Sequence, residues 1–321
     1  MKKILFTMLA VAALVGCSKE EILSHNKGEA ISFGNNFIDN ATRAAIDGSY
    51  TTATLNAFKV YGAVETTTDD VFVNIFDGVD VTKEKTNGTD IGDSAQNTWW
   101  YNAESVQYWI DGKDYKFAAV VDGTVTATDA AGMPTKLTVD ATAQKDLLYA
   151  SSTATSGPVA FTFKHLMSKV KFSANVAAMA DAYSYRVTGI SVNGVADGGV
   201  YTIGAATPWA ANNTTYDLAF GNIADNNGNL AELTSGNANV ESNYARLLVP
   251  QTVTSVSFTI DLYKDSANIN TEVVAIDDLE IALEAGHAYN FTIDLAAPGA
   301  PIMFGVTEVE GWINEPGTDI Y

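Results

Sequence analysis

Strict alternation of apolar and polar residues is the feature that most restricts what this chain can fold into. Every second residue is apolar across 256–262, beginning with Val256, and again across 289–295, beginning with Tyr289. Because successive side chains of a strand point to opposite faces, this pattern predicts strands with one buried and one hydrated face. Clusters of Gly and Asn, such as the one at 86–89, separate such segments as turns. The sequence therefore predicts an all-β fold built from antiparallel strands.

Three further segments refine this prediction. Residues 115–121 are apolar on both faces, which is typical of a central strand. Near His165 the inward parity changes, because the apolar residues before it and after it fall on opposite faces, and such a change predicts a bulge. Residues 211–239 are rich in Asn, Ala and Gly and are predicted to form a long loop.

The strand spacing and the turn signals predict two β-sandwich domains in series. About 300 residues follow the export signal described below, which is enough for roughly two domains. The apolar fraction of 47% and the charged fraction of 17% allow a large core. A small, polar stretch at 151–158 ends in Gly157 and Pro158, and we place the boundary there. The two domains would cover 44–157 and 158–321.

The start of the chain has the pattern of an export signal. Two lysines precede an uncharged run, 4–16, which is too short to span a bilayer. This run ends in Leu-Val-Gly before Cys17 and resembles a lipobox, at which Cys17 is acylated and becomes the first mature residue. The alternative is an ordinary signal peptide with an incidental cysteine. We therefore assign 1–17 to a signal, and 18–43 to a polar tether followed by an N-terminal strand, which the resemblance described below implies to be removable.

Charge and cysteine content restrict the partners of the protein. The net charge of −20 argues against binding to nucleic acid and against direct attraction to anionic membranes. Membrane contact is therefore expected only through lipid on Cys17. Since Cys17 is the only cysteine, no disulfide is available and the core alone must hold the fold together.

The sequence contains no pattern that favours an enzyme. Its three histidines, His25, His165 and His287, lack metal-ligand spacing, and His165 is predicted to have a structural role. No nucleophile elbow, phosphate loop or dinucleotide fingerprint is present, so we predict no metal and no cofactor. Residues 225–229 have some features of a calcium loop but lack its spacing, and a turn is favoured. The pair at 99–100, two tryptophans, could stack on a glycan, although core packing is the more common use.

Several segments carry a more specific signal through their order along the chain. They are the lipobox at Cys17, the strand at 31–33, Thr42-Arg43-Ala44, Tyr108-Trp109 before 115–119, and the motifs at 146–150, 163–170, 285–291 and 306–312. Together this set resembles the fimbrillin family, the type V pilus subunits of Bacteroides-group bacteria.

The resemblance implies two transthyretin-like antiparallel β-sandwich domains in tandem and export as a lipoprotein. It also implies cleavage by an Arg-specific protease after Arg43, so that the mature chain begins at Ala44. Loss of the N-terminal strand would then allow polymerisation by strand exchange with other copies or with related pilins. The expected location is the outer membrane for the precursor and a cell-surface fimbrium for the mature form.

Two segments supply strands for such an exchange. The removable strand would carry Ile31, Phe33 and Phe37, and the donor strand would carry Ile302, Phe304 and Val306. Pro298 and Pro301 precede the second segment and are expected to separate it from the sandwich. The alternative is that 302–312 is simply the last strand of its own domain.

The role within a pilus remains open between two classes. The leading prediction is a polymerising stalk subunit, favoured by Arg43-Ala44 and by the long C-terminal tail. The alternative is a pilus tip adhesin or a monomeric surface lipoprotein that binds a glycan or another host or bacterial surface ligand.

Overall fold

The computed structural model of the chain describes residues 28–34, 36–38, 50–51, 53–85, 90–92 and 99–309. For Phe37 and for 307–309 it describes the backbone alone. Cys17, Arg43 and Ala44 lie outside the described residues, as does the signal at 1–17.

The regular secondary structure of the described residues is almost entirely strand, as the alternation predicted. In its first half the strands are β1 (Phe37–Ile38), β2 (Ala57–Glu65), β3 (Phe72–Thr82), β4 (Tyr115–Val121), β5 (Thr124–Thr128), β6 (Pro134–Asp140) and β7 (Leu148–Ala154). In its second half they are β8 (Thr162–His165), β9 (Ser168–Val176), β10 (Tyr183–Ala196), β11 (Gly198–Thr202), β12 (Trp209–Ala211), β13 (Thr215–Gly221), β14 (Val240–Glu241), β15 (Arg246–Leu248), β16 (Thr252–Val253), β17 (Ser255–Lys264), β18 (Ala267–Ile276), β19 (Ile281–Ala282), β20 (Ala288–Leu295) and β21 (Met303–Val309). Two single-turn 3₁₀ helices span Ala103–Ser105 and Ala141–Ala143. Within the described residues no helix has the length and hydropathy needed to cross a membrane.

The first core lies on a six-stranded sheet with the order β1-β8-β7-β4-β2-β3. Strand β4 runs between β2 and β7, and six of its seven residues are buried, which confirms the predicted central strand. One face of this sheet packs against the N-terminal segment 28–38 and the stretch that carries Trp99 and Trp109. The opposite face is covered by a four-stranded sheet with the order β12-β11-β6-β5.

The second core lies between two further sheets. One has the order β13-β10-β17-β18, and the other has the order β14-β9-β20-β21 with β15 also paired to β9. Strands β17 and β20 bury every second residue over most of their length, so the two alternating segments are half-buried strands as predicted. The larger sheets are antiparallel except for two ladders, β1 with β8 and β9 with β20, which are parallel.

Strands from both sides of the predicted domain boundary share sheets. β8 follows this boundary yet pairs with β7, and β11 pairs with β6 over Gly198–Thr202. The division at 157–158 therefore stays a prediction.

The change of parity near His165 has a cause different from the predicted bulge. β8 ends at His165 in the first sheet, and β9 begins at Ser168 in a sheet of the second core. Leu166 and Met167 connect the two and are buried between them in a third apolar cluster. The bulge prediction was wrong, because the chain crosses from one sheet to another and each strand buries the face that its own sheet requires.

Two other predictions also need correction. The segment 211–239 is not one long loop, because it contains β13, whose Leu218 and Phe220 are buried in the second core. The C-terminal tail is not separated from the sandwich, because β21 pairs antiparallel with β20 from Ala288 to Asp294. Pro298 lies within a turn closed by the hydrogen bond from the Ala300 N–H to the Ala297 carbonyl at 3.0 Å, and this turn returns the chain to the sheet.

Candidate assembly site

The N-terminal segment 28–38 is an integral part of the first core. Ile31 and Phe33 are 0% and 1% exposed, and Ile38 is 4% exposed. Burial of an apolar side chain of this size stabilises a fold by about 1.5–3 kcal/mol relative to an exposed position. The segment therefore contributes substantially to the stability of the first sandwich.

Phe33 occupies a site formed by aromatic rings. The ring centroids around it are those of Tyr101 at 5.6 Å, Phe76 at 5.7 Å, Phe161 at 6.1 Å, Phe58 at 6.2 Å and Phe117 at 6.4 Å. Four of these rings meet Phe33 edge to face and Phe161 lies parallel to it. Such pairs add about 0.5–1.5 kcal/mol each beyond the area that they bury. We call this site the Phe33 cage.

Backbone hydrogen bonds hold the segment on both sides. On one side the Ile31 N–H donates to the Gln107 carbonyl at 2.8 Å. On the other side the Gly34 N–H donates to the Val159 carbonyl at 3.0 Å, and the Val159 N–H donates to the Ser32 carbonyl at 2.8 Å. The segment thus behaves as a strand laid between two neighbours, and its removal would leave their backbone groups unpaired.

The segment places two polar residues in the core, and one of them leaves a hydrogen-bonding group unsatisfied. Ser32 and Asn36 are both buried. The side-chain oxygen of Asn36, Oδ1, accepts a hydrogen bond from the Phe161 N–H at 2.8 Å. The side-chain NH₂ of Asn36 has no hydrogen-bond partner in the described structure. A buried donor left unsatisfied costs about 1–3 kcal/mol. A different strand in the same place could therefore bind more favourably.

The chain is fixed again shortly after this segment. The Tyr50 N–H donates to Asp146 Oδ2 at 3.0 Å, and the Tyr50 hydroxyl donates to Asp122 Oδ2 at 2.7 Å. Burial, followed by this hydrogen bond to Asp122, raises the pKa of the Tyr50 hydroxyl above its ordinary value. Arg43 lies in the connection between Ile38 and Tyr50, which is outside the described residues.

His165 belongs to this anchoring region. Its Nδ1 lies 2.7 Å from Asp146 Oδ2, and both side chains are buried. The contact joins two of the sequence motifs, one around Asp146 and one around His165. This position agrees with the structural role predicted for His165.

The candidate donor residues lie on an edge strand and are less buried than the N-terminal ones. Ile302, Phe304 and Val306 pack against the second core but remain partly exposed. The Phe304 ring lies 5.8 Å from Phe291 and 6.5 Å from Phe172. The structure therefore places the two sets of predicted strand residues on different cores, and it does not bring them together within one chain.

The two arginines other than Arg43 have structural positions. Arg186 and Arg246 lie in strands β10 and β15. Their guanidinium groups stack on Tyr263 and Tyr244, each at 4.4 Å from the ring centroid. Both arginines are partly buried within strands, which disfavours cleavage by a protease that needs extended and accessible backbone.

The remaining candidates do not form a chemical site. Trp99 is buried in the first core beside Phe58. Asp225 accepts hydrogen bonds from the N–H groups of Asn229 and Asn227, which lower the pKa of its carboxyl group and close the turn. Within the described residues no three His, Cys, Asp or Glu side chains are grouped to hold a metal ion.

The sequence analysis missed Asn36, Ile38 and Tyr50. Asn35 interrupts the alternation after Phe33, so periodicity alone could not show that Ile38 turns inward. Tyr50 is a polar-tipped residue in a polar stretch, and its partners Asp122 and Asp146 are distant in sequence. No local signal could have identified that contact.

Comparison with known proteins identifies the class to which this fold and its N-terminal site belong. The model of the fimbrillin-like family matches residues 42–312, so the chain belongs to the fimbrillin-like family. It is thus a pilus-related structural subunit of the cell surface, and its family is one of fimbrial proteins rather than enzymes.

Solved structures with the same fold come from Bacteroides species. A fimbrial protein from Bacteroides vulgatus is 15% identical, with 88% of this chain and 99% of that chain aligned and a TM-score of 0.52. A candidate cell adhesion protein from Bacteroides ovatus is also 15% identical, with 90% of this chain and 100% of that chain aligned and a TM-score of 0.51. At this identity the likeness establishes the fold alone. No curated protein gives a significant match.

Proposed function

We propose that this protein is exported as a lipoprotein through Cys17, cut after Arg43 and polymerised by donor-strand exchange into the stalk of a fimbrium. The observation that carries the proposal is the position of the segment before Arg43. That segment fills the first core through Ile31 and Phe33 and is bonded on both sides. A single cut on its C-terminal side would convert it from a covalent part of the fold into a removable ligand.

Loss of the segment would create a binding groove. The aromatic rings around Phe33 would be exposed, and the backbone groups of Gln107 and Val159 would lose their partners. An exposed apolar groove with unpaired strand edges binds an extended segment by β-augmentation. A strand from a second copy of this chain restores both the ladder and the apolar burial.

The C-terminal strand is suited to be that donor. The side chains of Phe304 and Val306 in β21, and of Ile302 just before it, are only partly buried, and among the described residues the strand has a ladder with β20 alone. In the groove, side chains that take the places of Ile31 and Phe33 would be fully enclosed, and the strand would be bonded on two sides. Full burial of an exposed side chain of this size is worth about 1.5–3 kcal/mol, so each partly buried side chain would gain a part of that amount on transfer from the edge to the groove.

A specific observation favours a second candidate function. Since β21 is already paired with β20 of its own chain, the subunit is complete without a neighbour. A pilus tip adhesin, or a monomeric surface lipoprotein that binds a glycan, would keep this arrangement.

Proteolysis of the purified precursor separates the two candidates. Treatment with an Arg-specific protease should give one dominant product that begins at Ala44 and then ladders that resist SDS. The Arg43→Lys variant keeps the charge but removes the cleavage site, so it should stay uncut and monomeric. A main cut at Arg186 or Arg246, or a cut at Arg43 with no ladder, would contradict the stalk proposal.

A further inference from the structure

The N-terminal and C-terminal strands share a sequence pattern that the fold does not require. Ile31, Phe33 and Gly34 have the order Ile-x-Phe-Gly, and the same order recurs at 302–305. At the same spacing further along, Ile38 corresponds to Val309. The two segments lie on different cores and pair with different strands, so no shared partner explains the likeness.

We infer that the C-terminal strand of one copy enters the groove of another in a single register, in which Phe304 takes the place of Phe33. Ile302 then replaces Ile31, Gly305 replaces Gly34 and Val309 replaces Ile38. The inference rests on the proposed function and adds to it the residue-by-residue fit.

The matched positions of the N-terminal segment are all buried. Ile31, Phe33, Gly34 and Ile38 are all buried in the N-terminal segment. In this register each of the four enclosed sites receives a residue of the type that occupies it in the precursor. Aliphatic residues replace Ile31 and Ile38, a phenylalanine replaces Phe33, and a glycine replaces Gly34. A shift by one residue would turn Phe304 away from the Phe33 cage, because side chains of a strand alternate between faces.

Gly305 provides an independent argument. Where it lies in β21, a Cβ added to it would meet no atom within 4 Å, and its φ is not in the left-handed region. The edge strand thus has no need of a glycine, and glycine within a strand is generally unfavourable. In the proposed register Gly305 occupies the site of Gly34, which is buried. We expect this enclosed site to leave less room for a side chain than the present site of Gly305.

The polar position also fits. Asn36 corresponds to Thr307, and the Asn36 site offers one donor, the N–H of Phe161. A threonine hydroxyl can accept from this N–H, and it carries one donor hydrogen in place of the two amide hydrogens of Asn36, which have no partner there. The donor strand would therefore leave fewer unsatisfied donor hydrogens at this site than the original segment.

The register makes a geometric prediction for a cross-link between copies. In the precursor Phe37 lies opposite Thr162, so residue 308 of a donor should lie opposite Thr162 of the acceptor. Adjacent strands are about 4.8 Å apart, within the range in which a disulfide forms. Residue 306 would lie about 6.6 Å further along the strand, which places its Cα beyond that range.

The experiment mixes two processed variants, neither of which contains another cysteine once Cys17 is removed with the N-terminal segment. The acceptor carries Thr162→Cys, and the donor carries either Glu308→Cys or the matched control Val306→Cys. Oxidation should join acceptor to donor through residue 308 and give at least about tenfold less product through residue 306. A dominant product through residue 306, or ladders with no cross-link through 308, would overturn the register while leaving strand exchange intact. Absence of ladders from the unsubstituted chain would overturn both.

A second variant tests the glycine without any cross-link. Gly305→Val should leave the melting temperature of the precursor unchanged, because the present site has room for the side chain. After processing, the affinity between subunits should fall by about tenfold or more, as expected for overpacking of an enclosed site. Asn270→Val adds the same side chain to an exposed strand position and should have no effect on assembly. Normal ladders from Gly305→Val would overturn the register.

Discussion

At the residue scale, the stability of the precursor depends on aromatic side chains and on a few buried polar contacts. Phe33 is enclosed by rings from the sheet and from the stretch around Tyr101. Asp146 Oδ2 accepts a hydrogen bond from the Tyr50 N–H, and the same oxygen lies 2.7 Å from His165 Nδ1. Both residues hold the N-terminal part of the chain to the body of the first core.

Phe33→Ala should therefore destabilise the precursor strongly. Truncation of a buried phenylalanine costs about 3–5 kcal/mol through lost burial and the cavity that remains. Phe304→Ala is the matched control, and it should cost less because Phe304 is partly exposed on an edge strand. Denaturant unfolding of the two variants measures the difference, and equal losses would show that the N-terminal segment is not well packed in solution.

Asp146→Ala should weaken the attachment of the chain around Tyr50. The change leaves the Tyr50 N–H without its acceptor and removes the contact to the buried His165, and unsatisfied buried groups cost about 1–3 kcal/mol each. Asp225→Ala, in an exposed turn, is the control and should have a smaller effect. Hydrogen exchange at Tyr50 reports the local change directly. Unaltered protection of that amide in Asp146→Ala would contradict this account.

At the element scale, the edge strand β21 has the structural role that the sequence analysis gave as the alternative, that of a last strand of its own domain. The two prolines before it predicted a separate tail, and the structure instead shows a complete ladder with β20. In the precursor this strand covers part of the second core through Phe304. Strand β21 can stabilise its own sandwich first and serve as a donor afterwards only if it binds more weakly to β20 than to the groove of another copy.

Deletion of 302–321 should consequently lower the melting temperature of the second core without unfolding it. The loss is limited because β21 is an edge strand whose side chains are only partly buried. Truncation after Val309 keeps β21 and is the matched control, so it should lower the melting temperature less than the deletion does. After processing, the first truncation should form no ladder although its groove is open. Ladders of normal length from it would defeat the donor assignment.

At the scale of the whole molecule, the fold consists of sheets that mix early and late parts of the chain. β8 belongs to the first sheet and β11 pairs with β6, so the halves on either side of 157–158 are linked through backbone ladders. This linkage gives a reason to expect that removal of one N-terminal strand destabilises the subunit rather than detaching a domain.

The processed, unassembled subunit should be less stable than the precursor and should recover when the groove is filled. A synthetic peptide of residues 28–38, added at about 100 times its Kd, should restore about 2.7 kcal/mol. A peptide with Phe33→Asp is the control, since a charge in an apolar groove loses hydration without gaining a partner. Thermal shift of the processed subunit with each peptide measures this. Equal stabilisation by both peptides would show that the groove does not recognise Phe33.

The sequence by itself determined the secondary structure class and the burial of individual faces. Alternation at 256–262 and 289–295 predicted β17 and β20, and the doubly apolar stretch predicted β4 as a central strand. These properties are local, because the period of two reports directly which side chains of a strand are buried. Membership of the fimbrillin-like family was also visible, in the order of motifs along the chain.

Only the tertiary structure decided which elements meet. The parity change near His165 is a crossing between sheets, Tyr50 is bonded to Asp122 and Asp146, and β21 returns to β20. Sequence periodicity could not show this, because it records that a face is covered and not what covers it. The choice of partner depends on ladder register and on side-chain fit between residues far apart in the chain, and these are settled only when the whole core assembles.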